Sequence, residues 1–221
     1  MVKHTLPGTC KSLPFDNGFF PPASVASVLK SGNMNLVLNN NEPGNFHFCK
    51  KVIDGAHFVS MPEQQIETEL QLKGGYDNEL LDSTCGYYTH NIDHGYVLAH
   101  YIWHESAGRY VTNYRNTIDD ISSMFQRRLE RLYEICSSHG NRFYIYYSPQ
   151  QYKTLKIDND IYDLTDMETI KDQLDKSFPT GENIILCFSN IIRKNKNNIF
   201  YLPAADYIKF CKHAEYRNKK N

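Results

Sequence analysis

Apolar positions in the second half of the chain recur with helical spacing. Ile118, Ile121, Phe125, Leu129, Leu132 and Cys136 step by three or four residues, which predicts an amphipathic helix with one buried stripe. Thr117 before it and Asp119 and Asp120 in its first turn suit a helix N-terminus, and Gly140 fits just beyond its end. Residues 142–147 then read as a strand, stopped by Ser148-Pro149. Thr165-Asp166-Met167-Glu168 has the spacing of a capping box. It predicts a helix with Met167, Ile170, Leu174 and Phe178 inward, ended by Pro179 and Gly181. The continuous apolar run at 184–188 suits a strand covered on both faces. A short strand over 199–202 and a last helix over 204–213 follow. Helix and strand thus alternate, which predicts a single α/β domain over 1–216 with a mostly parallel central sheet flanked by helices. A frayed basic tail is expected at 217–221. In such a sheet ligands bind beyond the carboxyl ends of the strands, here the loops after Tyr147 and Ser189.

The first half is less regular. Residues 2–6 read as a short strand. Residues 23–30, after Pro21-Pro22, read as a helix with Ala23, Ala26 and Leu29 on one face and Gly32 at its end. Residues 46–53 and 56–60 flank Asp54-Gly55, a hairpin signal. Residues 86–92 read as a strand. Neither 61–83 nor 95–115 has a clean period, and no element is assigned there.

Composition narrows the class. A chain of 221 residues that is 41% hydrophobic supports one sizeable core. A net charge of −1 argues against general nucleic-acid binding. No run of 18 apolar residues exists, so no membrane insertion is expected. The six cysteines, at 10, 49, 85, 136, 187 and 211, form no Cys-x-x-Cys pair; they predict reduced thiols in a cytoplasmic setting.

The least generic stretch is 10–20. Cys10 stands four residues before Pro14-Phe15-Asp16. Pro14 pushes Leu13 toward an extended conformation, and Asp16, Asn17 and Gly18 supply turn chemistry. The turn presents Phe15, Phe19 and Phe20, as core anchors or as substrate contacts. A cysteine hydrolase needs a thiolate, a histidine within reach and a group that orients the histidine. The best set is Cys10 as nucleophile, His90 as general base, and Asp16, Asn91 or Asp93 as orienter. His90 and His94, like His100 and His104, are four apart, but His-Glu-x-x-His is absent and no metal site is assigned. Asp158-Asn159-Asp160 matches an Asp-x-Asp pattern that holds Mg²⁺ or Mn²⁺ in many glycosyltransferases, and equally reads as a turn. Arg127, Arg128 and Arg131 lie on the long helix. Arg128 falls nearest the apolar stripe, so it and Arg127 are candidates for an arginine clamp on substrate.

Three of these places together resemble a family of papain-like cysteine peptidases. They are Pro14-Phe15-Asp16 followed by a short helix, Tyr87-Tyr88-Thr89-His90-Asn91, and the segment 125–132 with its doubled Arg127-Arg128 before a strand rich in Phe and Tyr. They span roughly residues 10–150. The resemblance implies peptidase-type Cys-His chemistry on a peptide or glycan substrate, with Cys10, His90 and Asn91 or Asp16 in the roles given above. No cofactor is implied. Two features depart from the family. A helix usually separates its cysteine from the Pro-Phe-Asp turn, whereas three residues stand between Cys10 and Pro14. Its histidine is commonly followed by Asp, where Asn91 stands here. Both point to a degenerate site. Proteins resembling this family occur in surface-polysaccharide gene clusters. That keeps open a glycan-related transferase with an arginine clamp and a divalent cation at Asp158 and Asp160. A third expectation is a non-catalytic binding protein that uses the aromatics around Phe19 and within 87–103.

Overall fold

Helix signals translate directly into structure. The computed structural model describes residues 13–16, 18–40, 42–52, 57–72, 87–99, 115, 117–137, 140–149 and 151–218. The expected strand at 2–6 and the Asp54-Gly55 turn lie outside them. Pro22–Ser31 forms α1, ended by Gly32 in the left-handed region at φ 66°. Ile118–Cys136 forms α3, and its predicted stripe is buried throughout. Met167–Ser177 forms α4, with Met167, Ile170 and Leu174 buried and Phe178 buried just past its end. Its N-cap is Asp166 rather than Thr165, because the Asp166 carboxylate accepts from the Thr169 N–H. Glu63–Leu72 forms α2 and Tyr207–Asn218 forms α5, after a 3₁₀ turn at Ala204–Asp206.

The strands correct the expected architecture. They are β1 (Gly18–Phe19), β2 (Leu38–Asn39), β3 (Glu42–Pro43), β4 (Phe46–Lys51), β5 (His57–Ser60), β6 (Tyr87–Asn91), β7 (Tyr96–Ala99), β8 (Arg142–Ser148), β9 (Thr154–Ile157), β10 (Asp160–Asp163), β11 (Asn183–Ser189) and β12 (Ile199–Pro203). The fold is mixed α/β, but its main sheet is seven-stranded and mostly antiparallel, in the order β1-β7-β6-β4-β5-β9-β10, not a mostly parallel central sheet. Within it only β5 and β9 run parallel. The other parallel pairs form a separate three-stranded sheet, β12-β11-β8, and β2 with β3 makes a small hairpin. The alternation of helix and strand misleads because the β9–β10 hairpin, which lies between β8 and α4 in sequence, leaves the parallel sheet and joins the other.

The seven-stranded sheet is curled. Four strand steps separate β1 from β5, about 19 Å in a flat sheet, yet the rings of Phe19 and Phe58 lie 4.9 Å apart. Tyr88 contacts both rings, at 5.9 and 5.1 Å. Alternation along each strand then sorts the side chains onto two faces. The outer face carries Phe46, Phe48, Tyr96 and Leu98, in one core with α1, α3 and α4. The inner face carries Cys49, Phe58, Val97, Leu155 and Ile157, in a second core. Among the described residues no helix is long and apolar enough to cross a membrane.

Candidate functional site

Strand register decides what surrounds His90. On β6 it stands opposite His47 of β4 on one side and Val97 of β7 on the other, and Val97 in turn faces Phe19 of β1. All four therefore point to the inner face. His90 is only 5% exposed, and neither ring nitrogen has a hydrogen-bond partner among the described residues. Burial lowers its pKa, and the charge of His47 adds to the effect; Asp158 and Asp160 act in the opposite sense. The imidazole is thus held neutral, beside two carboxylates near enough to stabilise its charged form.

Asp158 reaches this place through a turn. Asp158 and Asn159 link β9 to β10, and Asp158 adopts φ 51°, a conformation aspartate tolerates. Its carboxylate accepts from the backbone N–H and the hydroxyl of Ser60, at 2.8 and 2.5 Å. Partial burial raises its pKa, but the two Ser60 bonds and the nearby His90 and His47 outweigh that, and the net shift is downward. Asp158 is therefore a carboxylate held in its ionised form by Ser60 and by the histidines whose charge it favours. Asp160 is exposed. Among the described residues no three His, Cys, Asp or Glu side chains are arranged to hold a metal ion.

The other orienters named from sequence lie elsewhere. Asn91 follows His90 in the strand and so points to the outer face, where its Oδ1 accepts from the His94 N–H at 3.0 Å. Asp93 accepts from Asn45 Nδ2. His94 sits in the turn after β6, hydrogen-bonded to Ser27 at 2.9 Å. Asp16, 4% exposed, accepts from the Leu13 N–H at 2.7 Å and so closes the Pro14-Phe15-Asp16 turn. Cys10 lies outside the described residues, as do Cys85, His100, Trp103 and His104.

Burial sorts the remaining thiols. Cys49 adjoins His90 on the inner face but is fully buried, and burial, then the charge of Asp158, pushes its pKa up. Burial does the same to Cys136 and Cys187. These are packed thiols, not thiolates. Cys211 is half-buried on α5 beside Tyr207. On α3, Arg127 is exposed, while the Arg128 guanidinium lies 5.4 Å from the ring centre of Phe125.

A cavity of about 340 Å³ opens between the Pro14-Phe15-Asp16 turn and the carboxyl end of β8. Leu13, Phe15 and Asp16 line it from the turn, and Ser148 and Pro149 from β8 and beyond. Phe19 and Leu155 also line it, so it adjoins the inner face that holds His90. The loop after Tyr147 is one of the two places where a ligand was expected from sequence. Asp158 as the neighbour of His90 was missed. Its signal was the Asp-Asn turn, but the β5–β9 pairing that carries the turn to Ser60 leaves no local trace. Compared with known proteins, the chain matches no family model, no curated protein and no solved structure.

Proposed function

We propose that the chain is a cysteine hydrolase that cleaves an acyl carbonyl compound. Cys10 supplies the nucleophile, His90 is the general base and acid, and Asp158 stabilises the imidazolium that forms. His90 takes the Cys10 thiol proton as the sulfur adds to the carbonyl carbon, and the leaving heteroatom then departs with that proton. His90 then takes a proton from the water that cleaves the acyl–sulfur bond, releasing a carboxylic acid and the free thiol.

One observation carries this reading: a buried His90 whose two ring nitrogens have no partner among the described residues, in the field of a carboxylate that Ser60 fixes. Leaving buried polar atoms unpaired costs about 1–3 kcal/mol each, and perturbed groups of this kind cluster where chemistry is done. The buried state of Cys49, Cys136 and Cys187 turns attention to Cys10. It stands three residues before Leu13, a lining residue of the cavity, and lies outside the described residues.

The test is the alkylation rate of each cysteine against pH, in wild type, His90→Ala and Asp158→Asn. Cys10 is expected to react fastest and well below pH ~8, to slow strongly without His90, and to slow less without the Asp158 charge. A Cys10 no faster than the other thiols, or indifferent to His90, removes the hydrolase reading.

A further inference from the structure

We infer that the cavity is a strand-addition site, in which an extended, apolar peptide segment of a partner protein pairs with the open edge of β8. The inference goes beyond the hydrolase reading and uses none of its residues. β8 is an edge strand, in the order β12-β11-β8. Consecutive residues 144–149 all line the cavity. Side chains of a strand alternate between its faces. Tyr144 and Tyr146 join the core shared with α1, α3 and α4, whereas Tyr147 stacks on Tyr207 of α5 at 4.2 Å. A space that touches all of them lies along the edge of the strand, not over one face. One hydrogen bond sets the phase of that edge. The Arg142 N–H donates to the Glu182 carbonyl at 2.8 Å, on the β11 side. Alternate residues from Arg142 onward therefore direct their backbone groups at β11, and Phe143, Ile145 and Tyr147 direct theirs away from it. Among the described residues no backbone bond closes that side.

Ile145 and Tyr147 thus offer the cavity two N–H and two C=O groups, spaced by about 7 Å, the two-residue repeat of an extended backbone. Both residues are half-buried, where unpaired backbone groups are costly. Gly18, Phe19 and Phe20 line the same cavity. Gly18–Phe19 is β1, the end strand of the seven-stranded sheet, and the Tyr146 hydroxyl donates to the Phe20 carbonyl at 3.2 Å. End strands of both sheets therefore border the space, and a guest strand extends β12-β11-β8 by one. Apart from Asp16, Ser148 and the tyrosine hydroxyls, the lining side chains are apolar. Adjacent residues of the guest, one on each face, are accordingly both apolar. A strand residue fills roughly 160 Å³ at standard spacings, so a cavity of about 340 Å³ encloses about two of them. Main-chain bonds supply the affinity of such a site, and the flanking apolar side chains its selectivity.

The experiment is fluorescence anisotropy of a labelled peptide, a run of valines between polar ends, titrated with the full chain. Backbone amide exchange, followed by NMR, accompanies it. In the free chain the N–H groups of Ile145 and Tyr147 are expected to exchange faster than those of Tyr144 and Tyr146, and bound peptide should slow them about tenfold or more. N-methylating every valine amide keeps the peptide apolar but removes its donors. That should weaken binding about fivefold for each of the two donors that β8 accepts. Ile145→Pro removes one outward N–H and spares the bonds to β11; it should weaken binding about fivefold. The wild-type measurements decide the matter if that variant does not fold. A peptide that fails to bind, or binds as well when N-methylated, overturns the site. So do Ile145 and Tyr147 amides that are as protected in the free chain as Tyr144 and Tyr146, or that bound peptide leaves unchanged. The cysteine alkylation test of the hydrolase reading is independent of each outcome.

Discussion

Arg142 and Asn183 face each other at the start of two parallel strands, and the Arg142 Nε donates to Asn183 Oδ1 over 2.9 Å. The same guanidinium donates to the carbonyls of Cys136 and Phe178, each at 2.9 Å, and to that of Thr180. Cys136 ends α3 and Phe178 follows α4, so one buried cation sits where both helices present unpaired carbonyls and partial negative charge. Asn183 Nδ2 donates in turn to Asp175 and to the Phe178 carbonyl.

Removing that cation strands several buried acceptors at once. Arg142→Ala is expected to cost about 3 kcal/mol in urea denaturation. Arg142→Lys should lose about 2, because an ammonium cannot reproduce the planar fork. Arg127→Ala, at an exposed position of α3, should stay within about 0.5 kcal/mol. An Arg142→Ala variant as stable as Arg127→Ala would show that the clamp is not closed in solution.

The neutral state of His90 has a pH signature. Its folded pKa lies below the ordinary histidine value of 6.5, chiefly through burial. As pH falls below that value the unfolded chain takes up a proton that the folded chain refuses, so stability must fall with it. His94 is shifted in the same direction and contributes the same sign. Wild type is therefore expected to lose stability between about pH 7 and pH 5, with a shallower slope in His90→Gln. Equal slopes in denaturation midpoint against pH would mean that His90 titrates normally.

Ser60 offers a second titration with the opposite dependence on charge. Its two bonds help to keep the Asp158 pKa below the usual 3.8, although burial alone would raise it. The stability this gives is present above the unfolded pKa and is lost as pH falls through the folded one. Ser60→Ala removes the hydroxyl bond and leaves the backbone bond. It is expected to cost about 1 kcal/mol at neutral pH and to move acid unfolding to higher pH. Unchanged acid unfolding in that variant would place the carboxylate elsewhere.

The elements legible in sequence are those whose cause is local. The stripe of α3, the apolar run of β11 and the Gly32 stop of α1 are each written within one turn or one strand. Glu63–Leu72 was not legible as a helix, because it is mostly polar and, over 63–69, Ile66 alone is fully buried. Tyr96–Ala99 is buried at its first three positions, so it shows no alternation to read. Sheet architecture failed for a different reason. The β9–β10 hairpin reaches the seven-stranded sheet by pairing with β5, and the Ser60–Asp158 bond this creates spans 98 positions. His90 was legible as a candidate base by residue type and company. Its carboxylate neighbour was not, since that contact depends on the same distant pairing.

Closure of the curl is itself testable at Gly95. This residue turns β6 into β7 at φ 69°, and a Cβ built on it would lie 2.5 Å from the ring of Tyr162. Tyr162 belongs to β10, the far edge of the sheet, so the contact exists only because the sheet bends back on itself. Gly95→Ala is expected to cost about 2 kcal/mol, of which about 1 is the left-handed backbone and the rest the displaced ring. In a Tyr162→Ala background the ring is gone and only the backbone cost remains, giving a coupling of about 1 kcal/mol in the double-mutant cycle. Strict additivity would mean that Tyr162 does not touch the β6–β7 turn. The inner face would then be open along that side, and His90 would titrate as an exposed histidine.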